Sequence, residues 1–201
     1  MMALNSQNLI LASASKVRGQ MLSNAGVTFS VEVSNVDEDV IKAKSGAKSV
    51  EDIALELATA KAEAVSALHP EALVIGADQI LECDGVLFDK PVGRAGAVTH
   101  LQTMRAKLHR LITAAAVVQG GEILWQASDD VRLTMRDMSD DFIQIYLDLA
   151  GDEVLASVGA YRLEDIGAQL FTRVEGDYFT VLGLPLLPLL EFLRQERVLE
   201  I

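Results

Sequence analysis

The stretch LILASASKVRGQMLSN, residues 9–24, contains a complete strand–loop–helix unit. Its first four residues form a short apolar run of the kind found in buried strands. Ser15 is well placed to cap the helix that follows, and Gly26 is well placed to end it. A buried strand that leads through a short loop into a helix is typical of α/β proteins, so this unit predicts an α/β fold.

The rest of the chain continues the alternation of strands and helices, with hairpins among the strands. Asp84-Gly85 and Gly120-Gly121 are both flanked by apolar runs, which is the signature of a β-hairpin. Helices are predicted over 16–24, 49–68, 94–108 and 139–149 and after Pro185; strands are predicted over 9–12, 28–34, 72–83, 111–119 and 122–126, with further short strands before the last helix. Hairpins pair strands antiparallel, so a mixed sheet is predicted rather than a purely parallel one.

The composition describes an acidic but well-packed protein. The 201 residues include 17 basic and 29 acidic side chains, a formal charge of −12, and half of all residues are hydrophobic. That apolar content excludes wholesale disorder. The negative charge argues against nucleic acid or an anionic membrane as a partner, because both require a basic surface. An anionic ligand would need local cations, backbone amides or a metal.

The cellular setting is predicted to be the cytoplasm. Cys83 is the only cysteine, so an internal disulfide is excluded. No apolar run approaches the roughly 20 residues that span a bilayer, and the N-terminus lacks the basic region of a signal peptide. Since there is also no Pro/Ser-rich linker and no internal repeat, residues 1–201 are interpreted as one domain.

The first candidate site is the loop Ser13-Ala14-Ser15 with the start of the following helix. Small side chains allow a ligand to approach the backbone, and the free N–H groups of a helix N-terminus favour a phosphate. Arg18 adds a cation in the first turn. A plain capped helix with a surface arginine explains the same residues, and both interpretations remain open at this stage.

The second candidate is Asp78, which follows the apolar run Val74-Ile-Gly-Ala. Ligand sites of open α/β sheets lie at strand ends, where an aspartate can hold a divalent cation or take a proton from water. A turn aspartate that caps local amides is an equal alternative. Glu38 lies in an acidic cluster and becomes a candidate only if folding brings it near Asp78. Lys61 and Lys90 are isolated lysines, which are usually solvated.

Eight blocks, taken in order, resemble the Maf family of nucleoside triphosphate pyrophosphatases. They are Leu11-Ala-Ser-Ala-Ser15, Val36-Asp-Glu38, Leu57-Ala-Thr-Ala-Lys-Ala62, Val74-Ile-Gly-Ala-Asp78, Asp89-Lys-Pro91, Gly159-Ala-Tyr161, Glu175-Gly-Asp-Tyr178 and Gly183-Leu-Pro-Leu186. The resemblance covers residues from about 9 to about 194. It implies an elongated mixed α/β fold related to inosine-triphosphatase-like proteins, with two lobes around a cleft and a possible homodimer.

The resemblance also implies an activity and a set of site residues. The expected reaction is metal-dependent hydrolysis of a nucleoside triphosphate, between the α and β phosphates, to the monophosphate and pyrophosphate, with Mg²⁺ or Mn²⁺. Asp78 and Glu38 are the expected catalytic and metal-holding residues. The expected substrate-binding residues are Ser13, Ser15, Arg18, Lys61 and Lys90, with Gln79 and Glu164 at the base.

The residues at the base positions favour a modified or guanine-type nucleotide, with 7-methyl-GTP as the candidate. Family members acting on 7-methyl-GTP typically carry Gln and Glu where this chain has Gln79 and Glu164, whereas members acting on dTTP and UTP carry Thr and Gln. A carboxylate can accept hydrogen bonds from the N1–H and amine of guanine. The chain departs from the family at Lys16-Val17, which replace Pro-Arg, and at Ser157-Val158, where a lysine is common.

Two alternatives follow from the same resemblance. One is a dTTP/UTP pyrophosphatase, which differs only in the base pocket. The other is a non-catalytic nucleotide-binding regulator of septum formation. Retention of both carboxylates and of Lys61 and Lys90 favours the enzyme, a house-cleaning hydrolase that removes modified nucleotides before they enter nucleic acid.

Overall fold

Strands and helices alternate along the residues that the computed structural model describes, which are 8–44, 46 and 48–199. The strands are Leu9–Leu11 (β1), Ser30–Val31 (β2), Leu73–Cys83 (β3), Val86–Phe88 (β4), Leu108–Gln119 (β5), Glu122–Met135 (β6) and Phe171–Glu175 (β7). The helices are Lys16–Asn24 (α1), Glu38–Lys44 (α2), Val50–Ser66 (α3), Gly93–Met104 (α4), Asp140–Ala150 (α5), Tyr178–Leu182 (α6) and Leu186–Gln195 (α7). Short 3₁₀ helices lie at Asp152–Ala156, Val158–Ala160 and Ile166–Leu170.

The strands form one seven-stranded mixed sheet. Its order is β2-β1-β3-β5-β6-β7, with β4 paired to β3. β1 pairs parallel with β2 and with β3, while the β3–β4 and β6–β7 pairs are antiparallel. The prediction of a mixed α/β fold is confirmed.

The chain divides into two compact units, each with its own apolar core. The first takes its residues from Met1–Asp78, Thr113–Asp129 and Gly183–Ile201, and the second from Gln79–Ile112 and Asp130–Leu182. In the first unit the strand residues Ile10, Val74 and Val118 pack with Ala62 and Val65 of α3. In the second unit the core contains Leu81, Leu101, Leu111, Leu133 and Tyr146. A single two-lobed domain with a cleft stays a prediction.

Local signals in the sequence locate several elements. Ser15, Ser49 and Ser139 each cap a helix, because the side-chain oxygen of each accepts a hydrogen bond from the backbone N–H three residues later. The turn Asp84-Gly85 joins β3 to β4 as predicted, with both residues at positive φ. Among the described residues, no helix combines the length and the apolar character that crossing a membrane requires.

The structure differs from the prediction at two neighbouring places, the strand predicted over 28–34 and the acidic stretch that follows it. Only Ser30–Val31 pairs as a strand, because β1, its partner, is itself only three residues long. The acidic stretch forms α2, whose first turn Asp37 stabilises by accepting a hydrogen bond from Val40 N at 3.1 Å.

Two further boundaries differ from the prediction. The helix predicted over 94–108 ends at Met104, since Ala106 takes a positive φ and Leu108 already begins β5. The strand predicted to end at residue 126 continues to Met135, where it pairs with β7. Between α5 and α7, where several short strands were predicted, the described residues contain one strand, β7.

Candidate active site

The loop between β1 and α1 is held by its own serines. Ser13 is buried, and its Oγ accepts a hydrogen bond from Ser15 N at 3.2 Å. Ser15 caps α1, with its Oγ 3.4 Å from Arg18 N. The loop is therefore ordered around the N-terminus of α1, which is the geometry predicted for an anion site.

Arg18 connects this loop to two other segments of the same unit. Its Nε donates to Gly183 O at 2.7 Å, and its Nη1 donates to Ala77 O at 2.9 Å and to Ser13 Oγ at 3.1 Å. Burial of the guanidinium lowers the pKa of Arg18, while the nearby carboxylates of Asp78 and Glu38 act in the opposite sense. Arg18 therefore lies inside the site and close to both predicted catalytic carboxylates.

Lys61 joins the two carboxylates. Its Nζ lies 2.5 Å from Asp78 Oδ1 and 2.7 Å from Glu38 Oε1. The Lys61 and Asp78 side chains are only 12% and 9% exposed, whereas that of Glu38 is 44% exposed. Folding thus brings Glu38 near Asp78, which is the condition for it to be a candidate. The resulting cluster is buried at Lys61 and Asp78 and open to solvent at Glu38.

Gly76 explains why Lys61 can reach Asp78. A Cβ at this position would lie 2.0 Å from Ala58 O and 2.7 Å from Ala62 N, both on α3. Only glycine lets α3 approach β3 this closely. Lys61 precedes Ala62 and Asp78 follows Gly76 by two residues, so this close packing sets the distance between them.

The metal implied by the resemblance fits the two carboxylates. Asp78 and Glu38 both lie within 2.7 Å of one atom, Lys61 Nζ, so their oxygens converge on one point. Within the described ranges, no group of three or more His, Cys, Asp or Glu side chains forms a metal site. Mg²⁺ is commonly bound by one or two carboxylates together with substrate phosphates and water. The donor set therefore suits a cation that binds together with a phosphate substrate.

Three predicted site residues belong to the second unit: Lys90, Gln79 and Glu164. Lys90 is exposed after β4. Gln79 donates from its amide nitrogen to Thr180 O at 3.0 Å and to Val181 O at 3.1 Å, which ties β3 to α6. Their predicted roles toward a nucleotide stay predictions.

Glu164 is fixed by an arginine that the sequence analysis did not single out. Glu164 Oε1 accepts from Arg162 Nε at 3.1 Å, and Arg162 also pairs with Glu153 and lies 3.9 Å from Asp165 Oδ2. A signal for this cluster exists in the sequence, because one arginine stands among three nearby acidic residues. The carbonyls of Ala77 and Gly183 were also missed, and backbone acceptors carry no residue signature.

Comparison with known proteins gives consistent matches along the chain. Residues 8–196 match the family model described as Maf-like protein. The chain is 51% identical over 193 residues to a nucleoside triphosphate pyrophosphatase of Nitrobacter hamburgensis, with 96% of each chain covered. It is 46% identical over 190 residues to a 7-methyl-GTP pyrophosphatase of Rhizobium johnstonii, covering 93% of this chain and 95% of the other. A third similar protein, 50% identical over 188 residues, is a nucleoside triphosphate pyrophosphatase of Paramagnetospirillum magneticum, with 92% and 97% covered.

Proposed function

This chain belongs to the Maf-like protein family, and from that membership we propose that it is a nucleoside triphosphate pyrophosphatase. The reaction is hydrolysis at the α phosphorus, which gives a nucleoside monophosphate and pyrophosphate. The observation that carries the proposal is the convergence of Asp78, Glu38 and Lys61, because it combines a buried carboxylate, a second carboxylate open to solvent and a cation.

The reaction assigns distinct tasks to these residues. The oxygen of a water molecule bonds to the α phosphorus, and the bond from that phosphorus to the oxygen bridging to the β phosphate breaks. Pyrophosphate leaves with the bridging oxygen, and Asp78 accepts the proton that the water loses. Lys61 moves from the carboxylates to the phosphates and offsets the charge that develops on the leaving group.

Binding of the triphosphate uses the loop before α1. The N–H groups at the start of α1 face a phosphate, and Ser13 and Ser15 keep the loop in the conformation that presents them. Lys90 adds a further cation. Asp78 and Glu38 would hold Mg²⁺ or Mn²⁺ together with the substrate, and the ion would supply Lewis-acid stabilisation of phosphate charge.

The base is a modified guanine, with 7-methyl-GTP as the substrate. The carboxylate of Glu164 accepts hydrogen bonds from N1–H and the exocyclic amine, and its charge suits a methylated, positively charged ring. A relative named 7-methyl-GTP pyrophosphatase, 46% identical to this chain, supports this choice. The dTTP/UTP activity is the second candidate. We also propose that the protein acts in the cytoplasm and that it forms a homodimer.

Product analysis over a nucleotide panel tests the proposal. Purified protein with Mg²⁺ or Mn²⁺ is incubated with 7-methyl-GTP, GTP, dTTP and UTP, and products are separated by chromatography. Monophosphate and pyrophosphate are expected from 7-methyl-GTP above all, and Asp78→Asn should lower kcat by about 100-fold or more. The control is Asp148→Asn, which removes an exposed carboxylate paired with Arg94 and should leave kcat unchanged.

Three results would contradict the proposal. A nucleoside diphosphate and inorganic phosphate as products would place the cleavage between the β and γ phosphates. Wild-type activity in Asp78→Asn would remove Asp78 from the mechanism. Tight triphosphate binding with no product in long incubations with metal would favour the non-catalytic regulator.

A further inference from the structure

We propose that Arg18 is a positioning residue for the candidate active site rather than a ligand of the triphosphate. The inference rests on the proposed function and changes the role that the family resemblance implies for this arginine. Its guanidinium holds three segments that carry the site: the Ser13–Ser15 loop, the strand end before Asp78, and the backbone at Gly183.

The acceptors of Arg18 show what the guanidinium does. Three of its N–H donors are already directed at protein oxygens, and two of those oxygens are backbone carbonyls. A phosphate ligand needs donors that face the ligand, whereas the Nε and Nη1 donors face the chain. Nη2 lies on the Gly183 side, 3.4 Å from where a Cβ at that position would be. The fork of the guanidinium is used to bridge protein segments.

The bond to Ala77 replaces a missing strand partner beside Asp78. β1 pairs with β3 as far as Leu11 opposite Ile75, and Ala12 N donates to Ile75 O at 2.8 Å. Carbonyls of alternate residues in a strand point to the same side, so the next carbonyl of β3 that faces β1 after Ile75 O is that of Ala77. β1 has by then turned into the serine loop, and Arg18 Nη1 supplies the donor that the strand no longer provides. The backbone that carries Asp78 is thereby fixed.

Gly183 provides an independent sign that the structure is built around Arg18. Gly183 takes a φ of +100°, which residues other than glycine rarely adopt. A Cβ there would lie 3.2 Å from Arg18 Nε and 3.4 Å from Arg18 Nη2. A side chain at this position would therefore press on the guanidinium. Glycine keeps the space in which Arg18 reaches the Gly183 carbonyl.

Charge-conserving substitution separates positioning from phosphate binding. Lysine is a good point-charge ligand for phosphate, but it lacks the planar fork that spans separate acceptors. We expect Arg18→Lys and Arg18→Met to lower kcat by a similar factor, about 100-fold, because small displacements of a catalytic group cost that much. We expect KM to change by no more than about 3-fold.

Gly183→Ala tests the same contact without removing any charge. It should also lower kcat, with KM retained, because the added Cβ displaces the guanidinium. Lys48→Met, which removes an exposed cation paired with Glu56 in the same unit, is the control for loss of charge and should leave kcat and KM unchanged. Each variant is assayed at a temperature where circular dichroism shows it folded.

Binding without turnover gives a second readout. In the Asp78→Asn background, adding Arg18→Lys should change the Kd for 7-methyl-GTP with Mg²⁺ by no more than about 3-fold. An Arg18→Lys variant with wild-type kcat would overturn the inference. So would a rise in KM as the main defect of Arg18→Met, if Arg18→Lys does not show that rise. A wild-type protein without turnover would instead overturn the proposed function.

Discussion

Lys61 and Asp78 form an ion pair in which Nζ and Oδ1 are 2.5 Å apart, and the same Nζ contacts Glu38 Oε1 at 2.7 Å. The ammonium therefore stands where a cation held by both carboxylates would bind. A positively charged group at that point opposes metal binding until a phosphate draws it away. Nucleotide and metal are thus expected to bind cooperatively.

Removal of this ammonium should tighten metal binding to the nucleotide-free protein. For Lys61→Met we expect Mn²⁺ affinity to rise about 10-fold or more, because the two carboxylates lose their competing cation. Calorimetric titration with Mn²⁺ in the absence of nucleotide measures the change, with Lys48→Met as the control. Unchanged or weaker binding by Lys61→Met would show that the two carboxylates do not form the metal site.

Base preference should depend on the charge of Glu164. In Glu164→Gln, kcat/KM for 7-methyl-GTP relative to dTTP is expected to fall about 10-fold or more. Glutamine replaces one of the two acceptor oxygens of the carboxylate with an NH₂ donor, which faces a donor group of guanine. Glu153→Gln is the matched control, since Glu153 is another carboxylate paired with Arg162. An unaltered preference in Glu164→Gln, or an equal change in both variants, would remove Glu164 from base recognition.

The close approach of α3 to β3 makes Gly76 intolerant of a side chain. Gly76→Ala places a Cβ 2.0 Å from Ala58 O, so the helix must move, and we expect a loss of about 3 kcal/mol or more in the free energy of unfolding. Gly96→Ala in α4 is the matched control, because its Cβ would meet nothing nearer than 3.4 Å. There the gain in helix propensity should stabilise by up to about 1 kcal/mol. Denaturant unfolding of both variants measures the contrast; equal stabilities would contradict the packing argument.

His109 should make the protein less stable as the pH falls. Its ring is buried, with Nε2 2.9 Å from Tyr161 Oη, and burial lowers its pKa to about 4. The unfolded chain, with a histidine pKa near 6.5, binds more protons between those two values. Stability is therefore fully present above about pH 6.5 and declines toward pH 4, by roughly 3 kcal/mol from this group.

Unfolding of His109→Gln across this range isolates the effect. Glutamine can keep a nitrogen near Tyr161 but does not titrate, so the free energy of unfolding should fall less steeply from pH 7 to pH 4 than in the wild type. Parallel curves for His109→Gln and the wild type would contradict the prediction.

The sequence predicts well those features that depend on neighbouring residues. Ser15, Ser49 and Ser139 mark helix starts because a cap needs only the next three residues. The helix that carries Glu38 was missed, since its acidic start also describes a solvated loop. Asp37 before it and Lys42 and Lys44 in its last turn are the signals that favour a helix.

The candidate site is less predictable from residues alone. Asp78, Lys61 and Glu38 each have an ordinary structural interpretation, and only their order within the family blocks singles them out. Their convergence depends on the packing of α3 against β3, which is a tertiary contact. The partners of Arg18 are mostly backbone oxygens, so no pattern of side chains could have revealed its bridging geometry.

The first unit consists of three separate stretches, and the chain passes between the two units four times. Its last stretch supplies the Gly183 carbonyl that receives Arg18, and also Leu189 and Leu193, which are buried on α7. During synthesis the serine loop and Asp78 therefore leave the ribosome long before the groups that complete their surroundings. The contacts of Arg18 become complete only when Gly183 has emerged, and neither unit corresponds to a continuous fragment that could be produced separately.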